Sequence, residues 1–124
     1  MLSDHGLAVA LETLAVKSPL PVGLHVDVDE RPPEPVEVAV YYFVAETLTN
    51  VAKYARASHV DVDIARADGR LVVQVADDGC GGADPSNGSG LRGLADRVEA
   101  LGGSLRVVSR PAEGTTVRAE IPCG

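Results

Sequence analysis

The stretch "RLVVQVADDGCGG", residues 70–82, leads an apolar strand pattern into two adjacent carboxylates and three glycines. Counting in twos from Leu71 places Asp77 on the apolar face of the strand, because successive side chains point to opposite faces. Asp78 then points to the other face. An unpartnered carboxylate at the rim of a core is costly, so Asp77 needs a donor from protein, water or ligand. A plain Asp-Gly turn is the alternative interpretation of the same residues.

Outward from this stretch, helical and strand patterns alternate along the chain. The predicted elements are a helix at 6–17, a strand at 21–28, a helix at 35–56, strands at 59–65 and 70–77, a helix at 91–101 and strands at 104–110 and 115–121. Asp-Gly at 68–69 suits a hairpin turn, and Gly102 is placed to cap the third helix. This order predicts an α/β fold, a two-layer sandwich whose mixed, mostly antiparallel sheet carries helices on one face.

The composition predicts one globular domain over residues 1–124. The chain is 45% hydrophobic and 23% charged, which is enough to form a core without disulfides. Its formal charge of -7 and the lack of clustered Lys and Arg argue against a nucleic-acid partner.

The longest apolar run, Val38 to Ala45, is far below the roughly 20 residues that span a bilayer, so we expect no direct membrane contact. Cys80 and Cys123 lack the spacing of a metal site or a disulfide, so we expect both to be free thiols. The first residues lack a leader pattern, so we expect a cytoplasmic protein.

A second group of polar residues shares one face of the long predicted helix. At about 100° per residue, Glu46, Asn50 and Lys53 fall within a narrow sector that borders the apolar stripe. A solvated stripe with an ordinary spaced acid and base would explain this pattern. An acid, an amide oxygen and an ammonium also suit a divalent metal with phosphate, and the residues alone leave both interpretations open.

Glycines in "NGSGLRGLADR", residues 87–97, open the third predicted helix. Gly88, Gly90 and Gly93 would let the backbone approach an anion closely, and the unpaired N–H groups of a helix start favour negative charge. No strand directly precedes them, so they do not form the dinucleotide-binding fingerprint, and loop punctuation is the simpler alternative. The segment "EGTTV" adds Thr115 next to a turn, where threonine is also an ordinary strand residue.

Taken in order, four segments resemble the sequence boxes of the GHKL ATP-binding family. "ETLTNVAKYA" is similar to its asparagine box, "DDGCGG" and "GSGLRGL" to its two glycine boxes, and "GTT" to its final threonine. With the opening "DHGLAVALETLA" and "LPVGLHVDV", they resemble more narrowly the ATP-binding domain of bacterial sensor histidine kinases of the class paired with LuxR-type response regulators. The resemblance covers nearly the whole chain and implies the Bergerat-type ATP-binding fold, with ATP and Mg²⁺ as cofactors.

The resemblance implies an adenine site at the end of the opening stretch. Asp77 would accept a hydrogen bond from the adenine amino group, which would supply the donor that its position requires. Gly79 and Gly81 would let the backbone close around the base, and Thr115 would assist through its hydroxyl or a water.

The same resemblance implies a phosphate and metal site on the long helix. Asn50 would ligate Mg²⁺, Lys53 would meet phosphate, and Glu46 would polarise a metal-bound water or act as a base. The hinge from the lid to the following helix would comprise Gly88, Gly90, Leu91 and Gly93.

The implied activity needs a partner outside this chain. The domain would donate the γ-phosphoryl group of ATP to a histidine on a dimerisation domain of the same longer kinase, with a response regulator as an indirect partner. None of His5, His25 and His59 has the acid-flanked helical setting of such an acceptor, so we expect no autophosphorylation of the isolated chain. Tyr54 stands where many of these kinases have histidine, and the lid is short. A free-standing anti-sigma-factor serine kinase and a nucleotide-binding module without transfer activity are the alternatives, and the parent would be cytoplasmic or the cytoplasmic part of a membrane-bound sensor.

Overall fold

Across the residues that the structure describes, five strands form one mixed sheet and three helices pack on one of its faces. The computed structural model describes residues 2–28, 32–52, 57–79, 91–109 and 114–123. The elements are α1 (Leu2–Lys17), β1 (Val22–Asp27), α2 (Glu34–Asn50), β2 (Val60–Ala67), β3 (Arg70–Asp77), α3 (Leu91–Ala100), β4 (Ser104–Ser109) and β5 (Thr115–Pro122). The strand order is β1-β2-β3-β5-β4. The predicted α/β fold with a mixed, mostly antiparallel sheet is confirmed.

The connections explain which strands run parallel. β1 and β2 pair in parallel across the α2 crossover, whereas β2–β3, β3–β5 and β4–β5 pair antiparallel. The turn between β2 and β3 consists of Asp68 and Gly69, with φ angles of 52° and 74°, as a two-residue hairpin of the primed type requires. Because α2 returns the chain to the start of β2, and Val60 there pairs with Asp77, the end of α2 and the end of β3 lie at the same edge of the fold.

The core lies between the sheet and the helical layer. α1 contacts β1, α2 contacts β3, and α3 contacts β4 and β5, so the helices lie side by side over the sheet with α2 in the middle. Phe43 of α2 is completely buried. The inward residues of the three central strands are also buried, namely Val60, Val62, Ile64, Leu71, Val73, Val75, Val117, Ala119 and Ile121. The predicted strand parity is therefore confirmed, and Asp77 continues the buried set.

Most element ends lie within one residue of the predicted bounds, and the larger differences are in the first helix, the end of α2 and the second strand. The first helix begins at Leu2 rather than at residue 6. The sequence pattern did not indicate this first turn, because it is mostly polar and carries no apolar periodicity. The α-helical part of α2 ends at Asn50, and residues 51–52 adopt π-helical geometry; the predicted continuation over 53–56 lies outside the described residues. Side-chain spacing over one turn does not separate these two geometries. The second strand begins at Val60 and extends to Ala67, so His59 precedes it.

The end of α3 follows the predicted glycine cap. Gly102 has a φ of 81°, and its N–H donates to the carbonyl of Glu99 at 2.9 Å. The N–H of Gly103 donates to the carbonyl of Val98 at 3.0 Å, which completes a Schellman motif. Elsewhere, Cys123 is a buried free thiol, as predicted, and Cys80 lies outside the described residues. Within the described ranges, no helix has the length and apolar character needed to cross a membrane.

Candidate functional site

Asp77 is the last residue of β3, where it pairs with Val60 on one side and Thr115 on the other. Its Oδ1 accepts a hydrogen bond of 2.8 Å from the N–H of Gly79, so the carboxylate closes a short turn at the end of the strand. Burial raises the pKa of the Asp77 carboxyl, and the backbone N–H groups of Gly79 and Thr115 offset only part of this effect. The adjacent Asp78 carboxylate raises the same pKa slightly further.

The partners of Asp77 leave room for a ligand. A carboxylate offers about four acceptor positions, so two backbone donors leave capacity for another donor. The raised pKa shows that these donors do not compensate fully for the water removed by burial. A half-buried carboxylate with spare acceptor capacity and a perturbed pKa is a candidate binding group. The site therefore offers a strong acceptor for an N–H donor of a ligand.

Gly114 was not singled out from the sequence, although it shapes the same edge. Its φ is 82°, and a Cβ at this position would overlap the carbonyl oxygen of Asp77. Glycine thus allows the chain entering β5 to pass directly against the end of β3. Thr115, the next residue, is buried beside Asp77 with 8% of its surface exposed. The glycine in "EGTT" was the available signal, but only the β3–β5 pairing reveals what it approaches.

Asn50 lies at the last α-helical position of α2 and is half-buried. Its Nδ2 atom is buried and has no hydrogen-bond partner in the part of the chain that the structure describes. An orphaned buried amide is uncommon and calls for a ligand or solvent partner. Glu46 lies one helical turn earlier on the same side and is exposed. The amide fits a site shared by a metal ion and phosphate, because it offers an oxygen to the cation and an N–H donor to the anion.

Asp78 faces away from Asp77, as the strand parity predicted, but it is not merely solvated. Its Oδ1 accepts hydrogen bonds from the N–H of Ser58 at 2.8 Å and from the N–H of His59 at 3.2 Å. The Ser58 hydroxyl donates to Oδ2. Together these donors, led by the Ser58 hydroxyl, hold the pKa of Asp78 well below its usual range. Sequence reasoning missed these contacts, which join residues 19 and 20 positions apart.

Of the remaining site residues predicted from the sequence, the structure describes some and not others. Gly79 is buried and serves as a donor to Asp77. Leu91 is the first residue of α3, and Gly93 lies in its first turn, where a Cβ would meet no atom within 4 Å. Packing in the described structure therefore does not require glycine at position 93. The other candidates, Lys53, Gly81, Gly88 and Gly90, lie outside the described residues.

Comparison with known proteins shows which protein family this chain resembles. Residues 36–124 match the family described as histidine kinase-, DNA gyrase B-, and HSP90-like ATPase. The signal transduction histidine-protein kinase/phosphatase DegS of Brevibacillus brevis is 40% identical over 101 residues, which cover 79% of this chain and 26% of that protein. The oxygen sensor histidine kinase NreB of Staphylococcus carnosus is 32% identical over an alignment covering 98% of this chain and 38% of that protein.

Among solved structures, a blue-light activated histidine kinase of Erythrobacter litoralis superposes with a TM-score of 0.76. It is 27% identical, and the match covers 94% of this chain and 40% of that protein. The chain thus spans between about a quarter and two fifths of the length of these relatives.

Proposed function

The chain belongs to the family of histidine kinase-, DNA gyrase B- and HSP90-like ATPases, and we propose that it is the ATP-binding catalytic domain of a two-component sensor histidine kinase. Residues 1–124 would form one domain of a longer cytoplasmic protein, or of the cytoplasmic part of a membrane-bound one. The observation that carries the proposal is the half-buried Asp77, whose pKa is raised and whose carboxylate retains acceptor capacity at the edge where α2 and β3 end. Sensor kinases among the relatives favour this reading over an anti-sigma-factor serine kinase or an inactive nucleotide-binding module.

In this proposal the adenine amino group donates to Asp77, which must be ionised to act as an acceptor on both oxygens. Gly79 and Gly81 keep side chains away from the plane of the base. The Thr115 hydroxyl, or a water that it holds, contacts the same base. Selectivity for adenine follows because guanine presents a carbonyl oxygen where adenine presents its amino group, and two acceptors would then oppose each other.

The phosphate side would be built from α2 and the start of α3. Asn50 would hold Mg²⁺ through its amide oxygen, and Lys53 would contact a phosphate oxygen. When bound, Mg²⁺ supplies charge neutralisation for the phosphates. The backbone around Gly88, Gly90, Leu91 and Gly93 would form the hinge of a lid over the phosphates.

Phosphoryl transfer depends mainly on positioning and on stabilisation of charge, so a small set of side chains suffices. A histidine nitrogen of the parent's dimerisation domain would attack the γ-phosphorus, and the bond from that phosphorus to ADP would break. Glu46 would accept the proton that the attacking histidine loses. A response regulator, of the LuxR type in the class that this chain resembles, would then receive the phosphoryl group.

Calorimetric titration tests the proposal directly. Mg-ATP should bind the purified chain with one site, and Mg-GTP should bind at least about 10-fold more weakly, as expected for the loss of one hydrogen bond to a charged acceptor. Absence of ATP binding, or equal affinity for both nucleotides, would contradict the proposed adenine site.

A further inference from the structure

Asp78 points away from the proposed nucleotide site, yet it fixes the strand end that carries Asp77. We propose that Asp78 is a positioning residue: by binding the segment that leads into β2, it keeps Asp77 facing the nucleotide. The inference rests on the proposed function, because it assigns Asp78 an effect on ATP binding through Asp77.

The backbone pairing of β2 and β3 ends at the pair formed by Val60 and Asp77. Beyond this point the Asp78 carboxylate takes the place of a backbone acceptor, since it binds the N–H groups of Ser58 and His59 on the neighbouring segment. The Ser58 hydroxyl adds a donor to the second oxygen. The side chain thus extends the attachment of β3 to its neighbour by two residues after the ladder has ended.

This attachment matters because two carboxylates stand side by side. A shift of one residue in a strand moves its side chains to the opposite face. Asp77 would then point outward and Asp78 inward, with little change in composition at the site. The observed partners are different for each acid: Asp77 is held by Gly79 and Thr115, and Asp78 by Ser58 and His59. Asp78 therefore determines which of the two carboxylates is available to the nucleotide.

Ser58 also lies on the connection from α2 to β2, so the same bonds fix where the chain leaving Asn50 rejoins the sheet. The ring of His59 adds a weaker contact, with Nδ1 at 3.2 Å from Oδ2 of Asp78 and Nε2 at 3.5 Å from Asp61. Both pairs are about half exposed, so ion pairing with His59 contributes little. The bonds to the backbone N–H groups and the serine hydroxyl carry the positioning.

The test compares Asp78→Ala and Asp78→Asn with Asp63→Ala as a matched control. Asp63 is also a half-exposed acid paired with a histidine, His25, at 3.4 Å, but it lies within β2 and faces away from the helices. Removing Asp63 changes the net charge by the same amount without touching the end of β3.

Calorimetry should show that Asp78→Ala weakens ATP binding by about 10-fold, the equivalent of about one charge-assisted hydrogen bond at Asp77. Its preference for ATP over GTP should shrink as well, a change that a general loss of stability would not produce. Asp78→Asn should restore only part of both, because its amide oxygen still accepts the two backbone N–H groups but its NH2 group no longer accepts from the Ser58 hydroxyl. Asp63→Ala should bind like the unmodified chain.

Equal ATP affinity and equal ATP-to-GTP preference in Asp78→Ala and Asp63→Ala would overturn the positioning role while leaving the proposed function intact. Failure of the unmodified chain to bind ATP would contradict both proposals. If Asp78→Ala does not fold, Ser58→Ala decides the question, because it removes only the hydroxyl donor. A reduced ATP-to-GTP preference in Ser58→Ala supports the positioning role, and an unchanged preference overturns it.

Discussion

Gly114 and Asp77 approach so closely that no side chain fits between the start of β5 and the end of β3. A Cβ on Gly114 would overlap the Asp77 carbonyl oxygen and would also lie 3.3 Å from the Cα of Asp78. The glycine has a φ of 82°, which L side chains rarely adopt. The position of Asp77 thus depends on a residue far from it in the sequence.

Gly114→Ala should therefore destabilise the empty chain and weaken ATP binding together. The positive φ alone costs about 1–2 kcal/mol, and relief of the overlap must move one strand end away from the other. Thermal melts and ATP titrations measure the two effects.

Gly102→Ala is the matched control for backbone strain. Gly102 has nearly the same φ, 81°, but a Cβ there would meet only Pro122 Cγ at 3.8 Å. It should lower stability by about 1–2 kcal/mol and leave ATP affinity unchanged. If the two variants lose ATP affinity equally, close approach to Asp77 is not the reason for glycine at position 114.

The contrast between these two glycines shows what the sequence could predict. Gly102 follows a helical pattern, and its capping role depends on neighbours within five residues, so local spacing was sufficient. The parity of Asp77 was also local, since it follows from counting along one strand. Gly114 and Asp78 act across strand pairs, and no periodicity indicates which strands become neighbours.

The buried acid Glu37 illustrates the same limit. An acid in the first turn of a helix is ordinary at a solvated helix start, because it complements the helix dipole. Glu37 is instead buried in α2, with its environment set by the packing of the surrounding elements. Sequence patterns predicted the layers and the strand parity, but not which polar residues the packing encloses.

Asp77→Asn should weaken ATP binding by roughly 10- to 100-fold. The substitution keeps the size of the side chain but replaces part of the acceptor with a donor, which in the proposed site would face the adenine amino group. Loss of a charge-assisted hydrogen bond costs about 1.5–3 kcal/mol, which gives this range. Calorimetry with ATP measures it, and binding that is unchanged by the substitution would remove Asp77 from the adenine site.

The stability of the empty chain should respond to pH through Asp77. Its pKa is raised in the folded state, so its favourable contribution is present below the unfolded value of about 3.9 and is lost as pH rises through the folded pKa. The melting temperature of the unmodified chain should therefore fall relative to that of Asp77→Asn as pH rises above the unfolded pKa and through the raised folded pKa. Parallel pH profiles for the two chains would show that Asp77 has no such linkage.

Adenosine binding should show the opposite pH dependence. Only the ionised Asp77 can accept with both oxygens, so adenosine affinity should decline as pH falls through the raised pKa. Adenosine is the appropriate ligand because it has no phosphate groups that titrate. In titrations at a series of pH values, the affinity for adenosine should decline at a higher pH than it would with an ordinary aspartate. Asp77→Asn should lack this pH dependence.

Asn50→Ala should remove the magnesium-dependent part of ATP binding and spare the rest. The Asn50 amide oxygen is assigned to the metal, whereas the adenosine moiety is assigned to Asp77, so affinity for adenosine should remain unchanged.

The empty Asn50→Ala chain should lose little stability, because the buried Nδ2 has no hydrogen-bond partner among the described residues, and alanine has the higher helix propensity. Thr49→Ala is the control, since Thr49 is exposed on the same turn and its hydroxyl donates to the Ala45 carbonyl of its own helix, at 2.9 Å. Calorimetry with ATP in the presence of Mg²⁺ or of a chelator separates the two contributions. Equal losses with and without Mg²⁺ would show that Asn50 supports the nucleotide pocket as a whole and is not a magnesium ligand.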